Sequence, residues 1–80
     1  MVRLTQHAAE MIADRRISSA WLDITIATPD WTEVDPRDAA LTRSFRTFAQ
    51  FGGRVLRVVH RRDGTDILVI TAYFDRDAKR

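Results

Sequence analysis

Eighty residues with a hydrophobic fraction of 45% predict one small folded domain, too short to hold separate catalytic and binding modules. The absence of cysteine excludes disulfides, thiolate metal sites and a cysteine nucleophile, and two histidines leave little for a histidine-rich metal centre. Thirteen basic residues against eleven acidic ones are nearly balanced, so the placement of charge says more than its sum.

Taken in chain order, Thr5 is placed to cap a helix running to about Arg15, its hydroxyl accepting from a first-turn amide. Ala8, Met11 and Ile12 give that helix a narrow apolar stripe. His7 lies in the first turn at the polar edge of the stripe, a position that suits a surface residue as well as a proton acceptor. Arg15 and Arg16 bring positive charge to the helix C-terminus, where it is favourable. Residues 18–28 match two templates: Leu22, Ile24 and Ile26 alternate as in a strand, while Ile17, Trp21, Ile24 and Thr28 fall on a helical face. A helix capped by Ser18 is expected, because a pair of helices is needed to cover the sheet that follows.

Pro29 stops that helix, and residues 29–38 (PDWTEVDPRD) read as a turn-rich connector pinned by Trp31 and Val34. Residues 41–48 (LTRSFRTF) read as a first strand, and Gly52-Gly53 as the turn into residues 54–74. Those residues carry two β-branched runs around Asp63-Gly64, the pattern of a β-hairpin. With Asp63 and Gly64 as the two turn residues, His60 pairs with Ile67, Val58 with Val69, Leu56 with Thr71 and Arg54 with Tyr73. Thr71 and Tyr73 then share a face with Leu56, Val58 and Val69. Both faces are largely apolar, as in a strand pair covered on each side. Residues 75–80 are charged and expected to fray. The expected architecture is α+β: two N-terminal helices packed on an antiparallel three- to four-stranded meander.

No Gly-rich phosphate loop, metal-ligand spacing or nucleophile elbow occurs, so neither metal nor cofactor is expected. No apolar run approaches the ~20 residues of a membrane span, and the first ten residues are too polar for a signal peptide, so a cytoplasmic protein with no membrane partner is expected. Trp21 and Trp31 read as packing anchors. The second half of the chain concentrates arginine over lysine, with Arg43, Arg46, Arg54 and Arg57 in its strands. The planar guanidinium fork suits phosphate, so this bias fits a nucleic-acid partner; it also fits a solvated sheet surface.

Short elements in a particular order carry a resemblance: Thr5-Gln6-His7-Ala8, Arg15 and Ile17, Pro29-Asp30, Arg43-Ser44-Phe45-Arg46, residues 55–59 (VLRVV) and residues 69–73 (VITAY). From about Leu4 to Phe74 the chain resembles a widespread family of short prokaryotic domains of unknown function, recognised by a T-x-H-A helix and a V-I-T-A-Y strand. That family has been placed with the RelE-like toxins, in the broader grouping of barnase, EndoU, colicin and RelE ribonucleases. The resemblance implies a RelE-like fold, metal-independent endoribonuclease activity, RNA as substrate and a cognate antitoxin as partner. Carried over residue by residue, the family motif falls on His7, Arg15, Arg43 and Thr71, which implies His7 as base, Arg43 or Arg46 as the phosphate-stabilising group and Thr71 as an orienting hydrogen-bond donor. Arg15, Arg46, Arg54, Arg57 and Tyr73 complete the implied nucleic-acid surface. Arg16 departs from the small residue common at its position. No residue is an obvious second acid; His60 suits by type, but the expected register puts it at the hairpin tip. The other class open to this composition is a non-catalytic nucleic-acid- or protein-binding module.

Overall fold

A computed structural model describes residues 1–78 of the chain, as an α+β fold of two helices on one face of a five-stranded sheet. Helix α1 (Gln6–Arg15) begins where expected: Thr5 is extended, and its hydroxyl accepts the Ala8 N–H at 3.0 Å. The helix closes at Arg16, which is left-handed at φ 55° and ψ 43° and donates its N–H to the Ala13 carbonyl. Ile17, next in the chain, donates to the Ile12 carbonyl at 3.0 Å and is buried. Ser18 then caps α2 (Ser19–Ala27) through the Ala20 N–H. Of the two periods in this segment, the helical one governs. Leu22 and Thr25 are buried, the Thr25 hydroxyl donates to the Trp21 carbonyl at 2.7 Å, and Ile24 is left exposed.

Strands β1 (Val2–Leu4), β2 (Trp31–Val34), β3 (Thr42–Phe48), β4 (Arg54–Asp63) and β5 (Asp66–Phe74) lie in the order β1-β5-β4-β3-β2. β2 to β5 form a four-stranded antiparallel meander, as expected, and β1 adds a fifth strand parallel to β5. Three residues are too few to give β1 a readable alternation; it exists because β5 offers it an edge. The expected connector also contains β2, whose Trp31 pairs with Phe45 and stacks on its ring at 4.7 Å with planes 7° apart. Pro29 and Pro36 flank β2, which is an edge strand, and so cost no ladder bond.

The hairpin register differs from the expected one. Gly64, at φ 64°, and Thr65 are the turn residues, and Asp63 pairs with Asp66. Only the first central residue is at positive φ, the type II′ requirement, which glycine meets there. Arg3 of β1 reaches both flanking carboxylates, at 3.3 Å to Asp63 and 3.6 Å to Asp66, offsetting their repulsion. His60 therefore pairs with Val69. Beyond it the ladder shifts by one, with Val59 opposite Thr71, so that Ile70 is the extra residue of a β-bulge. Val58 pairs with Ala72, Arg57 with Tyr73 and Leu56 with Phe74. Ala72 and Phe74, not Thr71 and Tyr73, thus join Leu56, Val58 and Val69 under the helices.

The core follows from this phase. Ala8, Ile12, Ile17 and Leu22 from the helices meet Phe48, Leu56, Val58, Val69 and Ala72 from the sheet. Leu22, Leu56, Val58 and Val69 are essentially fully buried, each contributing about 1.5–3 kcal/mol by leaving water. Asp75, expected in the frayed tail, is anchored instead: its N–H donates to the Val55 carbonyl and its carboxylate pairs with Arg57. Lys79 and Arg80, the last two residues of that expected tail, lie outside the described residues.

Arg16 is the only non-glycine residue at positive φ among the described residues, and a side chain in that region costs about 1–2 kcal/mol. Arg16→Gly is expected to stabilise the fold by about 0.5–1 kcal/mol, raising the thermal midpoint by several degrees. Thermal unfolding followed by circular dichroism checks this; an unchanged or lower midpoint contradicts it.

Candidate functional site

The helix-free face of the sheet is ordered in two cross-strand rows. Glu33, Arg43, Val59 and Thr71 lie side by side across β2, β3, β4 and β5, and Trp31, Phe45, Arg57 and Tyr73 form the next row. Arg43 and Thr71 are two strands apart, about 10 Å between backbones. They line one groove, of about 480 Å³, together with Asp35, Leu41, Arg57, Ile70 and Tyr73. The bulge is what brings Thr71 and Tyr73 to this side.

Arg37, Arg43 and Arg57 line the groove, and the last two are held by carboxylates. Arg43 places Nε and Nη2 each 3.2 Å from the Asp35 carboxylate, with Glu33 at 3.9 Å. Asp35 sits below its ordinary carboxylate value of 3.8, first because the Arg37 backbone N–H donates to it, with Arg43 and the Asp38 N–H adding to the effect against the opposing cost of desolvation. Arg57 donates to Asp75 at 3.2 Å and lies between two rings, 5.9 Å from Phe45 and 5.3 Å from Tyr73. Its buried Nε has no hydrogen-bond partner. Carboxylates therefore neutralise two of the three arginines that line the groove.

Helix α1 brings a second set of residues to the β5 edge. Beyond Val69 that edge has no strand on its outer side, because β1 ends there. The Arg15 Nη1 donates to the free Ala72 carbonyl at 3.3 Å, and its guanidinium lies 5.7 Å from the Tyr73 ring centre. One turn back, Met11 accepts the Thr71 hydroxyl proton on sulfur at 3.2 Å. One further turn back is His7, exposed to solvent. At four-residue spacing the row turns by about 40° per step, so Arg15 touches the strand, Met11 its side chains and His7 neither. The β5 edge thus brings Arg15 to Tyr73 and Met11 to Thr71, while His7 lies one turn further along the same flank of α1, exposed to solvent.

The remaining candidates lie elsewhere. Arg46 points to the helix side, where it donates to the Thr28 carbonyl and hydroxyl at the end of α2; it shares no surface with Arg43, because successive odd and even positions of β3 face opposite ways. Arg54 meets Arg15 and Tyr73 at a second cavity, beyond the end of α1. His60 is also on the helix side, opposite in direction to Thr71. Its Nε2 lies 2.7 Å from the Ser44 hydroxyl, a contact of nucleophile–base type that the sequence did not suggest, since sixteen residues separate the pair. Ser44 is only 2% exposed, and no carboxylate lines the neighbouring cavity, so this pair joins β3 to β4 and is closed to substrate. No cluster of three or more metal-ligating side chains occurs among the described residues, and no helix among them is long and apolar enough to cross a membrane.

A two-helix, bulged-sheet α+β domain with an arginine-bearing groove on its helix-free face is the class that this fold and site define. The chain belongs to the family described as a domain of unknown function (DUF4258), whose model matches residues 4–74. Comparison with curated proteins and with solved structures found no match.

Burial holds His60 below its ordinary value of 6.5. The unfolded chain, with the ordinary value, takes up the proton first as pH falls, so His60 favours the folded state fully above about pH 6.5 and loses that effect as pH drops towards the folded value. Asp35 acts in a separate, more acidic window, below 3.8. The urea midpoint is expected to decline as pH falls below 6.5, and His60→Gln, which can still bond Ser44, is expected to flatten that decline. A wild-type midpoint that stays level across this window contradicts the assignment.

Proposed function

We propose that this chain is a RelE-like, RNA-directed domain that cleaves single-stranded RNA without a metal ion, using the β5 edge. What supports this reading is the docking of the α1 flank on the β5 edge, Arg15 beside Tyr73 and Met11 on Thr71, with His7 on the same flank and Arg43 in the adjoining groove. In this reaction His7 takes the proton of a ribose 2′-hydroxyl. The 2′-oxygen attacks phosphorus, the bond to the 5′-oxygen breaks, and the departing oxygen takes a proton from water, leaving a 2′,3′-cyclic phosphate. The Thr71 hydroxyl can exchange the weak sulfur acceptor of Met11 for a phosphate oxygen, a stronger partner. Arg15 supplies charge at the same edge, and Arg43 supplies it after leaving Asp35, as the anionic phosphate competes for the guanidinium. The RelE-like reading also implies a cognate antitoxin, a protein that would cover this edge.

A second reading is supported by a different observation. Arg43–Asp35 and Arg57–Asp75 are partly buried, hydrogen-bonded pairs, and arginines held this way favour a non-catalytic nucleic-acid- or protein-binding module.

The two readings separate in one assay. Purified protein incubated with single-stranded RNA in the presence of a chelator is expected to produce fragments ending in a 2′,3′-cyclic phosphate. His7→Ala is expected to slow cleavage by roughly 10²–10⁴-fold while leaving RNA binding in place, and Arg43→Ala to slow it as well. Induced expression is expected to arrest growth in the wild type and in neither variant. RNA that is bound but stays intact, with no arrest, assigns the chain to the binding module.

A further inference from the structure

Helix α1 runs alongside β5 in the same direction, from the Thr5–Val69 hydrogen bond to the Arg15–Ala72 contact. Its last residues therefore arrive where β5 ends and the antiparallel β4 begins. Arg15 and Arg16 from the helix end, Arg54 from the start of β4 and Arg76 from beyond β5 meet there around a cavity of about 520 Å³. Among the described residues none of these four arginines is in an ion pair, and no carboxylate lines the cavity. Arg3, Arg43 and Arg57, by contrast, each have an acidic partner. The nearby helix end is its negative end, so attraction of an anion comes from the side chains and not from the dipole. Four like charges around one hollow repel one another, and a bound anion relieves that repulsion.

The floor of the cavity is aromatic. Trp21, Phe51 and Phe74 pack edge to face, with ring centres 4.8 Å apart for Trp21 and Phe51 and 6.1 Å apart for Trp21 and Phe74. Tyr73 completes the lining, and all four rings are only partly buried. The Arg54 guanidinium already lies over the Phe74 ring, 4.1 Å from its centre, so the floor can receive a planar cation or base on a ring face. Arginine forks bind phosphate, and partly exposed rings bind a planar heterocycle; an anion alone has no use for the floor. The volume is within the range of small-molecule sites.

We propose that this cavity binds a nucleotide, its phosphate held by the arginines and its base stacked on the aromatic floor. The ligand is either a free nucleoside phosphate or one nucleotide of single-stranded RNA. Tyr73 lines this cavity as well as the groove on the helix-free face, so a strand lying in the groove can place its next nucleotide here. For a free nucleotide the inference stands by itself; for a unit of RNA it rests on the RNA reading above.

Trp21 lies in the cavity and Trp31 does not, so Trp31→Phe leaves one local fluorophore. In that protein, adenosine monophosphate and a short single-stranded RNA are expected to quench Trp21, and inorganic phosphate or tetraglutamate to act at least about tenfold more weakly. Arg16→Gly, which relieves backbone strain, and Arg54→Ala are each expected to weaken nucleotide binding about tenfold. Arg62→Ala, at the hairpin end of β4 and outside both the cavity and the groove, is expected to leave it unchanged. Equal affinity for monophosphate and oligonucleotide identifies a free nucleotide as the ligand; much tighter oligonucleotide binding identifies RNA. The inference is overturned by absence of quenching, by phosphate or tetraglutamate binding as tightly as the nucleotide, or by insensitivity to both arginine variants. Quenching without RNA cleavage defeats the ribonuclease reading alone, and cleavage without quenching defeats this one alone.

Discussion

The β-bulge at Ile70 sets the side-chain phase of the last strand, and with it the character of both faces of the sheet. Strand side chains alternate strictly, so one inserted residue reverses every position beyond it. On the hairpin side of the bulge, Val69 faces the helices; beyond it, Ala72 and Phe74 do. An unbroken ladder would have turned Thr71 and Tyr73 into the core and left Ala72 and Phe74 in water. The bulge keeps a continuous apolar stripe beneath α1 and α2 while presenting a hydroxyl and a phenol beside Arg57. Packing and site thus depend on the same extra residue.

Helix α1 has two duties that its helical period separates. Ala8 and Ile12 bury one stripe against the sheet, and the row His7, Met11, Arg15 runs along the flank beside it. Because β1 pairs with β5 only as far as Val69, the outer edge of the last strand is left for that flank. Arg15 satisfies one of its carbonyls, which would otherwise offer an open ladder to other chains. The helix is held at one end by the Thr5 cap and at the other by the left-handed Arg16, whose conformation turns the chain into the Ser18 cap of α2.

Two groups of arginines have different physical meaning. In the groove Arg43 and Arg57 are paired, partly shielded from water and held by carboxylates and rings, an arrangement in which removal of one partner leaves the other charge stranded. At the end of α1 they are solvated and without counter-charges among the described residues. Net charge conceals this division: +2 for the chain gives no sign of paired arginines on one face and of four clustered at the end of α1.

Local chemistry was legible in the sequence. Thr5 and Ser18 announced both helix starts, Pro29 ended the second, and the apolar alternation of residues 54–74 gave the central hairpin, because caps, prolines and periodicity act over a few neighbouring residues. The α+β class and an antiparallel meander of β3, β4 and β5 followed from those. The sequence also named the residues of the candidate site, through their resemblance to a family motif, without indicating how they would be distributed. That distribution belongs to the tertiary structure. Asp63-Gly64 suits a turn as well as Gly64-Thr65 does, and only core packing selects between registers one step apart. The bulge at Ile70 has no local signature, since Ile, Thr and Ala all suit a strand. β1 and β2 are too short to be read and form because neighbouring strands offer them edges. Arg43 and Arg46 look equivalent in the chain, yet the pleat sends one to the groove and the other to the end of α2. The pairing of Ser44 with His60, and the gathering of Arg15, Arg16, Arg54 and Arg76 around one aromatic floor, join residues far apart in the chain, which only the fold brings together.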